Sequence, residues 1–232
     1  MPARILLALD TPDLATAITQ ARDVGDTIDG IKLGLEFFIA NGPAGVASVQ
    51  QEGRPLFLDL KLHDIPNTVA GAVRSALALK PLLLTVHAAG GARMLRAAAD
   101  AADAAGSARP LVIAVTVMTS LDDDDLVAVG QLPPTRDQVR RLADLARAQG
   151  CDGVVCSAHE ISTLRQDSGP DFKLVVPGLR PASGDAADQK RIMTPREAAR
   201  LGADFLVIGR PITRASDPAA AARRIRQEIA TP

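Results

Sequence analysis

Strand and helix signals alternate along the whole chain, and this alternation restricts the fold more than any other feature of the sequence. Apolar, strand-length runs occupy positions 4–9, 29–33, 55–60, 82–87, 111–117, 153–156, 173–176 and 204–208. Ala-, Arg- and Leu-rich helical stretches lie between them, for example at 13–24, 68–79, 92–105, 136–149 and 217–229. Eight βα units in 232 residues average about 29 residues each, which suits a single (β/α)8 barrel over residues 1–232. The structural rival is a doubly wound sheet, which wants a glycine-rich loop after its first strand. The loop here reads Asp10-Thr11-Pro12-Asp13, so the barrel is expected.

Composition narrows the function classes. With 47% hydrophobic residues and no low-complexity linker or composition break, the chain can bury one large core. A net charge of -1 argues against a nucleic-acid surface, and 2% aromatic residues without Trp or Tyr remove stacking platforms. No apolar run approaches the ~20 residues of a membrane span, and the run after Met1-Pro2-Ala3-Arg4 is too short for a signal-peptide core. Cys151 and Cys156 offer neither a disulfide framework nor a zinc pattern, and read as buried thiols in a reducing cytoplasm.

The candidate chemistry lies in Phe57-Leu58-Asp59-Leu60-Lys61-Leu62-His63-Asp64. Alternation puts Leu58, Leu60 and Leu62 on one face of a strand and Phe57, Asp59 and Lys61 on the other. Two charges on one face of an apolar strand cannot lie between a sheet and its helices without a large desolvation penalty, so they must open onto a cavity or mouth. Lysine occurs only at positions 32, 61, 80, 173 and 190, against twenty-one arginines. Two of those lysines stand at strand ends, where a group able to give up a proton has a use that arginine lacks. The bland alternative is a structural ion pair. In a (β/α)8 barrel the active site lies at the C-terminal ends of the strands. Asp10, Lys32, the pair Asp59 and Lys61, and His87 end the first four strands, and alternation phases all of them inward.

The last two strands suggest a phosphate site. The eighth is followed by Gly209-Arg210-Pro211-Ile212-Thr213, in which glycine allows close approach, arginine binds phosphate and proline suits the start of a short helix. The seventh is followed by Pro177-Gly178-Leu179-Arg180 and a polar stretch from Pro181 to Met193, long enough to be a lid. Loops after strands 7 and 8 habitually bind phosphate in this fold. The run Asp122-Asp123-Asp124-Asp125 reads as a solvated helix start, not a metal site, and three separated histidines make no metal cluster.

With these residues in view, the chain resembles the orotidine 5′-phosphate decarboxylase family. The resemblance rests first on Asp59-x-Lys61-x-x-Asp64-Ile65-Pro66-Asn67-Thr68. It extends to Leu9-Asp10, Ile31-Lys32-Leu33-Gly34, Val86-His87-Ala88-Ala89-Gly90-Gly91, Thr116-Val117-Met118-Thr119-Ser120, Pro177-Gly178-Leu179-Arg180-Pro181 and Ile208-Gly209-Arg210-Pro211-Ile212. The motifs cover essentially the whole chain in order. The resemblance implies a carboxy-lyase that turns orotidine 5′-monophosphate into uridine 5′-monophosphate, with no metal or organic cofactor.

Site roles follow from the resemblance alone. Lys61 matches the lysine that delivers a proton to C6 of the pyrimidine, and Asp59 the carboxylate set against the substrate carboxylate. Lys32 and Asp64 complete an alternating charge array, with Asp64 lent to the neighbouring subunit of a homodimer. Asp10 and Lys32 match ribose-hydroxyl contacts, as does Thr68 from the partner. Thr119 matches a pyrimidine contact, and Arg180, Gln189, Gly209 and Arg210 match the phosphate grip. The nearest rival is a magnesium-dependent sugar-phosphate decarboxylase or synthase on the same scaffold. Those relatives place a carboxylate on strand 2, where this chain has Lys32, and an ammonium there repels a divalent ion. A phosphate-binding protein on a decayed barrel is a further alternative, but it would be expected to have lost one of the four charges.

Overall fold

The computed structural model describes residues 3–181 and 193–230. Eight parallel strands close into a barrel in sequence order: β1 (Arg4–Ala8), β2 (Gly30–Gly34), β3 (Leu56–Leu62), β4 (Leu83–His87), β5 (Leu111–Val115), β6 (Gly153–Val155), β7 (Lys173–Val176) and β8 (Phe205–Ile208). The seam is a parallel pairing of β8 with β1. The intervening helices are α1 (Leu14–Val24), α2 (Leu35–Gln50), α3 (Pro66–Ala76), α4 (Ala92–Asp103), α5 (Asp123–Ala128), α6 (Thr135–Ala148) and α7 (Ile161–Ser168). They continue with α8 (Pro195–Arg200), α9 (Arg210–Thr213) and α10 (Pro218–Ala230).

Every expected strand is present, with ends shifted by a residue or two. Local chemistry accounts for the helix ends. Asp13 accepts the Thr16 amide at 2.7 Å and caps α1. Pro66 stands in the first turn of α3 after an extended Ile65, so the helix starts two residues earlier than its periodicity suggested. The helix α2 is not among the stretches expected above, and Asn41-Gly42-Pro43 lies in its middle. The chain does break there: Gly42 has a φ of 59°, and the helix resumes through Pro43.

Two apolar clusters record the alternation of the strands. Leu6, Ala8, Phe57, Leu83, Ile113, Val175, Phe205 and Val207 pack together without a helix residue among them, filling the barrel interior. The opposite strand faces, carrying Leu7, Ile31, Leu58, Leu84 and Val86, join helix residues such as Ala17, Val46, Val73 and Leu95 in the outer layer. Burying Phe57 this completely contributes about 1.5–3 kcal/mol.

The N-terminal end of the barrel is fastened by a device used three times. Asp29, Asp152 and Asp204 each stand just before a strand and accept the first free amide of the preceding one, from Ile5 at 2.7 Å, Val112 at 2.7 Å and Leu174 at 2.8 Å. Each carboxylate also holds an arginine: Arg226 at 3.0 Å, Arg109 at 2.7 Å and Arg165 at 2.7 Å. A carboxylate satisfied by a backbone N–H and a guanidinium is spent on structure, and no site is expected at this end.

Candidate active site

The C-terminal ends of the strands enclose a cavity of about 400 Å³. Asp10 follows β1 and Lys32 lies on β2, and both face it. Lys32 is only 7% exposed, and its Nζ donates to Asp10 Oδ1 at 2.5 Å. From β3, Asp59 is 9% exposed and its Oδ2 accepts Lys61 Nζ at 2.8 Å. Two Lys–Asp pairs therefore share one wall of the mouth. Neither pair is sealed in: the Asp10 side chain is 60% exposed and that of Lys61 33%. The ammonium groups can turn to a ligand without crossing a dry interior. Gly34 serves the same wall, since a Cβ at that position would stand 3.1 Å from Lys32 Nζ. It was quoted from sequence only as part of a motif.

The simple alternation expected for strand 3 needs a correction. Leu58 pairs with Leu84 and Leu62 with Val86, so three residues of β3 stand opposite the single residue Thr85. Lys61 takes a left-handed φ of 50°, which costs roughly 1–2 kcal/mol for a residue with a Cβ. The bulge nevertheless leaves Leu60 and Leu62 on the helix side with Leu58, and keeps Asp59 and Lys61 facing the cavity. Thr85 was not singled out from sequence, where a threonine in Leu82-Leu83-Leu84-Thr85-Val86 reads as an ordinary strand former. It is fully buried; its hydroxyl donates to Asp59 Oδ1 at 2.9 Å and accepts the Lys61 amide at 2.8 Å.

The inward phase of His87 allows it either to shape the site or to be a hydrogen-bonded core histidine; it is not among the cavity-lining residues, and its Nδ1 accepts the Ala89 amide at 3.4 Å. Its ring stacks on His63 with centroids 5.2 Å apart and planes 18° from parallel. Burial, then the neighbouring His63 and Lys61, hold the His87 imidazole below its ordinary pKa. Polar groups from β1, β2 and β3 thus converge on the cavity, while β4 contributes from beneath through Thr85.

Further candidates line the same cavity from later strands. Thr119 lines the cavity in the segment after β5, with Met118 and Ser120 beside it. Arg180 lines it after β7, and its amide donates to Met193 O at 3.3 Å, pinning together the two ends of the long polar stretch. Gly209 and Arg210 line it where β8 passes into α9. Cys156 is also a lining residue, and its burial drives the thiol pKa upward; burial raises that of Cys151 to about 12. Asp64 and Thr68 are exposed and do not line this cavity; Asp64 Oδ1 accepts the Ile65 amide at 2.6 Å. Gln189 lies outside the described residues, as do Ser183, Gly184 and Asp185.

Asp122 and Asp125 form a reciprocal capping box at the start of α5, and the Asp123 carboxylate accepts the amide of Thr135, the helix start expected for this acidic run. Among the described residues, no group of three or more His, Cys, Asp or Glu side chains is placed to hold a metal ion. None of the described helices is long and apolar enough to cross a membrane.

A model of the "Orotidine 5′-phosphate decarboxylase / HUMPS family" matches residues 3–225. The chain belongs to this family. Among relatives, the orotidine 5′-phosphate decarboxylase of Paramagnetospirillum magneticum is 55% identical over 229 residues, covering 97% of each chain. That of Rhodospirillum rubrum is 57% identical over 230 residues, covering 97% of this chain and 93% of its own. Solved structures agree. The orotidine 5′-phosphate decarboxylase of Lactobacillus acidophilus superposes with a TM-score of 0.86 at 37% identity, over 99% of this chain and 100% of that one. The matched region of the orotidine 5′-phosphate decarboxylase / HUMPS family spans all eight strands and both Lys–Asp pairs.

Proposed function

We propose that this chain is a carboxy-lyase of pyrimidine biosynthesis, converting orotidine 5′-monophosphate to uridine 5′-monophosphate. The observation that carries this reading is one cavity lined by two Lys–Asp pairs together with Arg180 and Arg210. The substrate carries groups that match these charges. Its phosphate meets the arginines and the Gly209 turn, its ribose hydroxyls meet Asp10 and Lys32, and its pyrimidine lies against Thr119 and the charge array.

Loss of carbon dioxide breaks the bond from C6 to the carboxylate and leaves the electron pair on C6, which has no adjacent π-system to accept it. Stabilisation must then come from charges already fixed in place. The Lys61 ammonium stabilises the developing carbanion and passes its proton to C6, giving the product. Asp59 faces the substrate carboxylate, and their repulsion is relieved as carbon dioxide departs. A reaction this difficult requires about 20 kcal/mol of transition-state stabilisation. Binding energy at the remote phosphate contributes by holding the ring against the charge array.

The same reading makes the enzyme a cytoplasmic homodimer of single-barrel chains. Asp64 and Thr68 reach the partner's site, and Gln189 closes over the phosphate. Supporting the partner role, Asp64 and Thr68 are exposed outside their own cavity, and Ile65 between them is 66% exposed. No metal takes part: the Lys32 ammonium occupies the strand-2 position where magnesium-dependent relatives need a carboxylate.

The test is incubation with orotidine 5′-monophosphate while ultraviolet absorbance is followed, with and without a metal chelator. Substrate consumption unaffected by the chelator is expected. Absence of turnover refutes the function; turnover abolished by chelation and restored by magnesium refutes the metal-free site.

A further inference from the structure

Thr85 lies behind the catalytic wall, outside the motifs that carry the family resemblance. Resting on the decarboxylase reading above, we propose that Thr85 is a positioning residue that sets Asp59 and Lys61 against the substrate through its hydroxyl group. The directions of its hydrogen bonds are fixed by chemistry. A backbone N–H can only donate, so the 2.8 Å contact from the Lys61 amide uses a lone pair of Thr85 Oγ1. The single hydroxyl proton is therefore free for Asp59 Oδ1 at 2.9 Å. Asp59 Oδ2 accepts the Lys61 ammonium at 2.8 Å, which closes a ring of three hydrogen bonds. Each member has one assignment, so the carboxylate plane and the lysine backbone are set together.

The strand register explains why a side chain is needed. Between the pairs Leu58–Leu84 and Leu62–Val86, β3 has three residues and β4 has one, so the regular ladder is interrupted. The hydroxyl supplies an acceptor to the Lys61 amide in that gap. It also supports the left-handed Lys61 backbone, whose φ is 50°. Strand propensity alone would be served equally by valine, which has the same shape. Valine would leave both the part-buried amide and one carboxylate oxygen without this partner.

The experiment compares wild type with Thr85→Val, Thr85→Ala and Thr85→Ser, measuring kcat and KM for orotidine 5′-monophosphate, uridine 5′-monophosphate affinity and thermal midpoint. Displacement of the reacting groups by about 1 Å corresponds to a loss of about 100-fold, and this loss is expected in kcat for Val and Ala. KM and product affinity should stay within about threefold, because phosphate and ribose contacts lie elsewhere. Serine, which keeps the hydroxyl, should hold kcat within about threefold of wild type. The proposal is overturned if Val and Ala keep wild-type kcat, if Ser falls as far as they do, or if their losses appear in KM and product affinity as much as in kcat. It is also overturned if Ser folds while Val and Ala do not, which would assign the hydroxyl to stability. A wild-type protein that binds product but does not consume substrate defeats the decarboxylase reading itself, and is distinguished by the wild-type arm alone.

Discussion

Replacing Lys61 by alanine removes the group assigned both charge stabilisation and proton delivery, and the structure gives the size of the effect. Its Nζ already lies 2.8 Å from one charged oxygen, Asp59 Oδ2, at the rim of a cavity where the side chain is 33% exposed. A carbanion at a similar separation of about 3 Å, with an effective dielectric of about 20 for a partly exposed site, is stabilised by roughly 5 kcal/mol. That is about four decades in rate. Proton delivery by a positioned acid adds about two to four more. The expected loss in kcat is therefore about 10⁶-fold or greater, while the product nucleotide should bind nearly as before because Arg180 and Arg210 are untouched. Ultraviolet absorbance with substrate in excess, using protein from a host lacking the activity, measures the first quantity, and titration calorimetry the second. A variant retaining one per cent of wild-type turnover refutes the assignment, since no combination of these effects is that small.

Lys61→Gly should be as inactive as Lys61→Ala but more stable by about 1 kcal/mol, because only the alanine must hold its Cβ at a φ of 50°. Equal thermal midpoints would deny that the bulge is strained. Arg180→Ala should weaken phosphate binding, with a large loss on the full nucleotide and little difference from wild type on the phosphate-free nucleoside. An equal loss on both would move Arg180 to the base or to the fold. Refolding a mixture of Lys61→Ala and Asp64→Ala subunits tests the shared site: in mixed dimers one site carries both changes and the other neither. Activity should recover toward about a quarter of wild type. Verified heterodimers no more active than their parents would confine Asp64 to its own subunit.

The charged lining of the cavity was legible because its charges interrupt strands that are otherwise apolar. Asp10, Lys32, Asp59 and Lys61 stand on the faces opposite Leu9, Leu33, Leu58 and Leu60, and a period of two is enough to send them to one mouth. His87 obeys the same period, and its ring stacks on His63, a loop residue that no strand pattern encodes. The bulge in β3 was hidden for a related reason. No glycine or proline marks it, and the residue that supports it, Thr85, lies on another strand. The fastening at the N-terminal end did leave a trace, since Asp29-Gly30, Asp152-Gly153 and Asp204-Phe205 all put aspartate directly before a strand. Read singly, each is a loop charge; read as a recurrence at one end of three βα units, the three point to a common job.

The two ends of the barrel make opposite use of aspartate, and their cations follow suit. At the N-terminal end the partners are Arg109, Arg165 and Arg226, with Lys173 joining Asp204 at the longer distance of 3.6 Å. A guanidinium binds several acceptors in one plane and keeps its proton, and Arg165 does this with Gly169, Phe172, Gly202 and Asp204 together. At the C-terminal end the partners are Lys32 and Lys61, each holding a single carboxylate. A lysine so held is not committed to the fold: the second oxygen of Asp59 is bound by Thr85, so the ammonium can leave its carboxylate for a ligand without stranding it. Strain tolerated at Lys61 fits the same division, because a backbone selected for stability would place glycine there. In a chain with few lysines, their presence at these two positions fits the proposed use of mobile, proton-bearing charge, whereas arginine serves where the charge must stay.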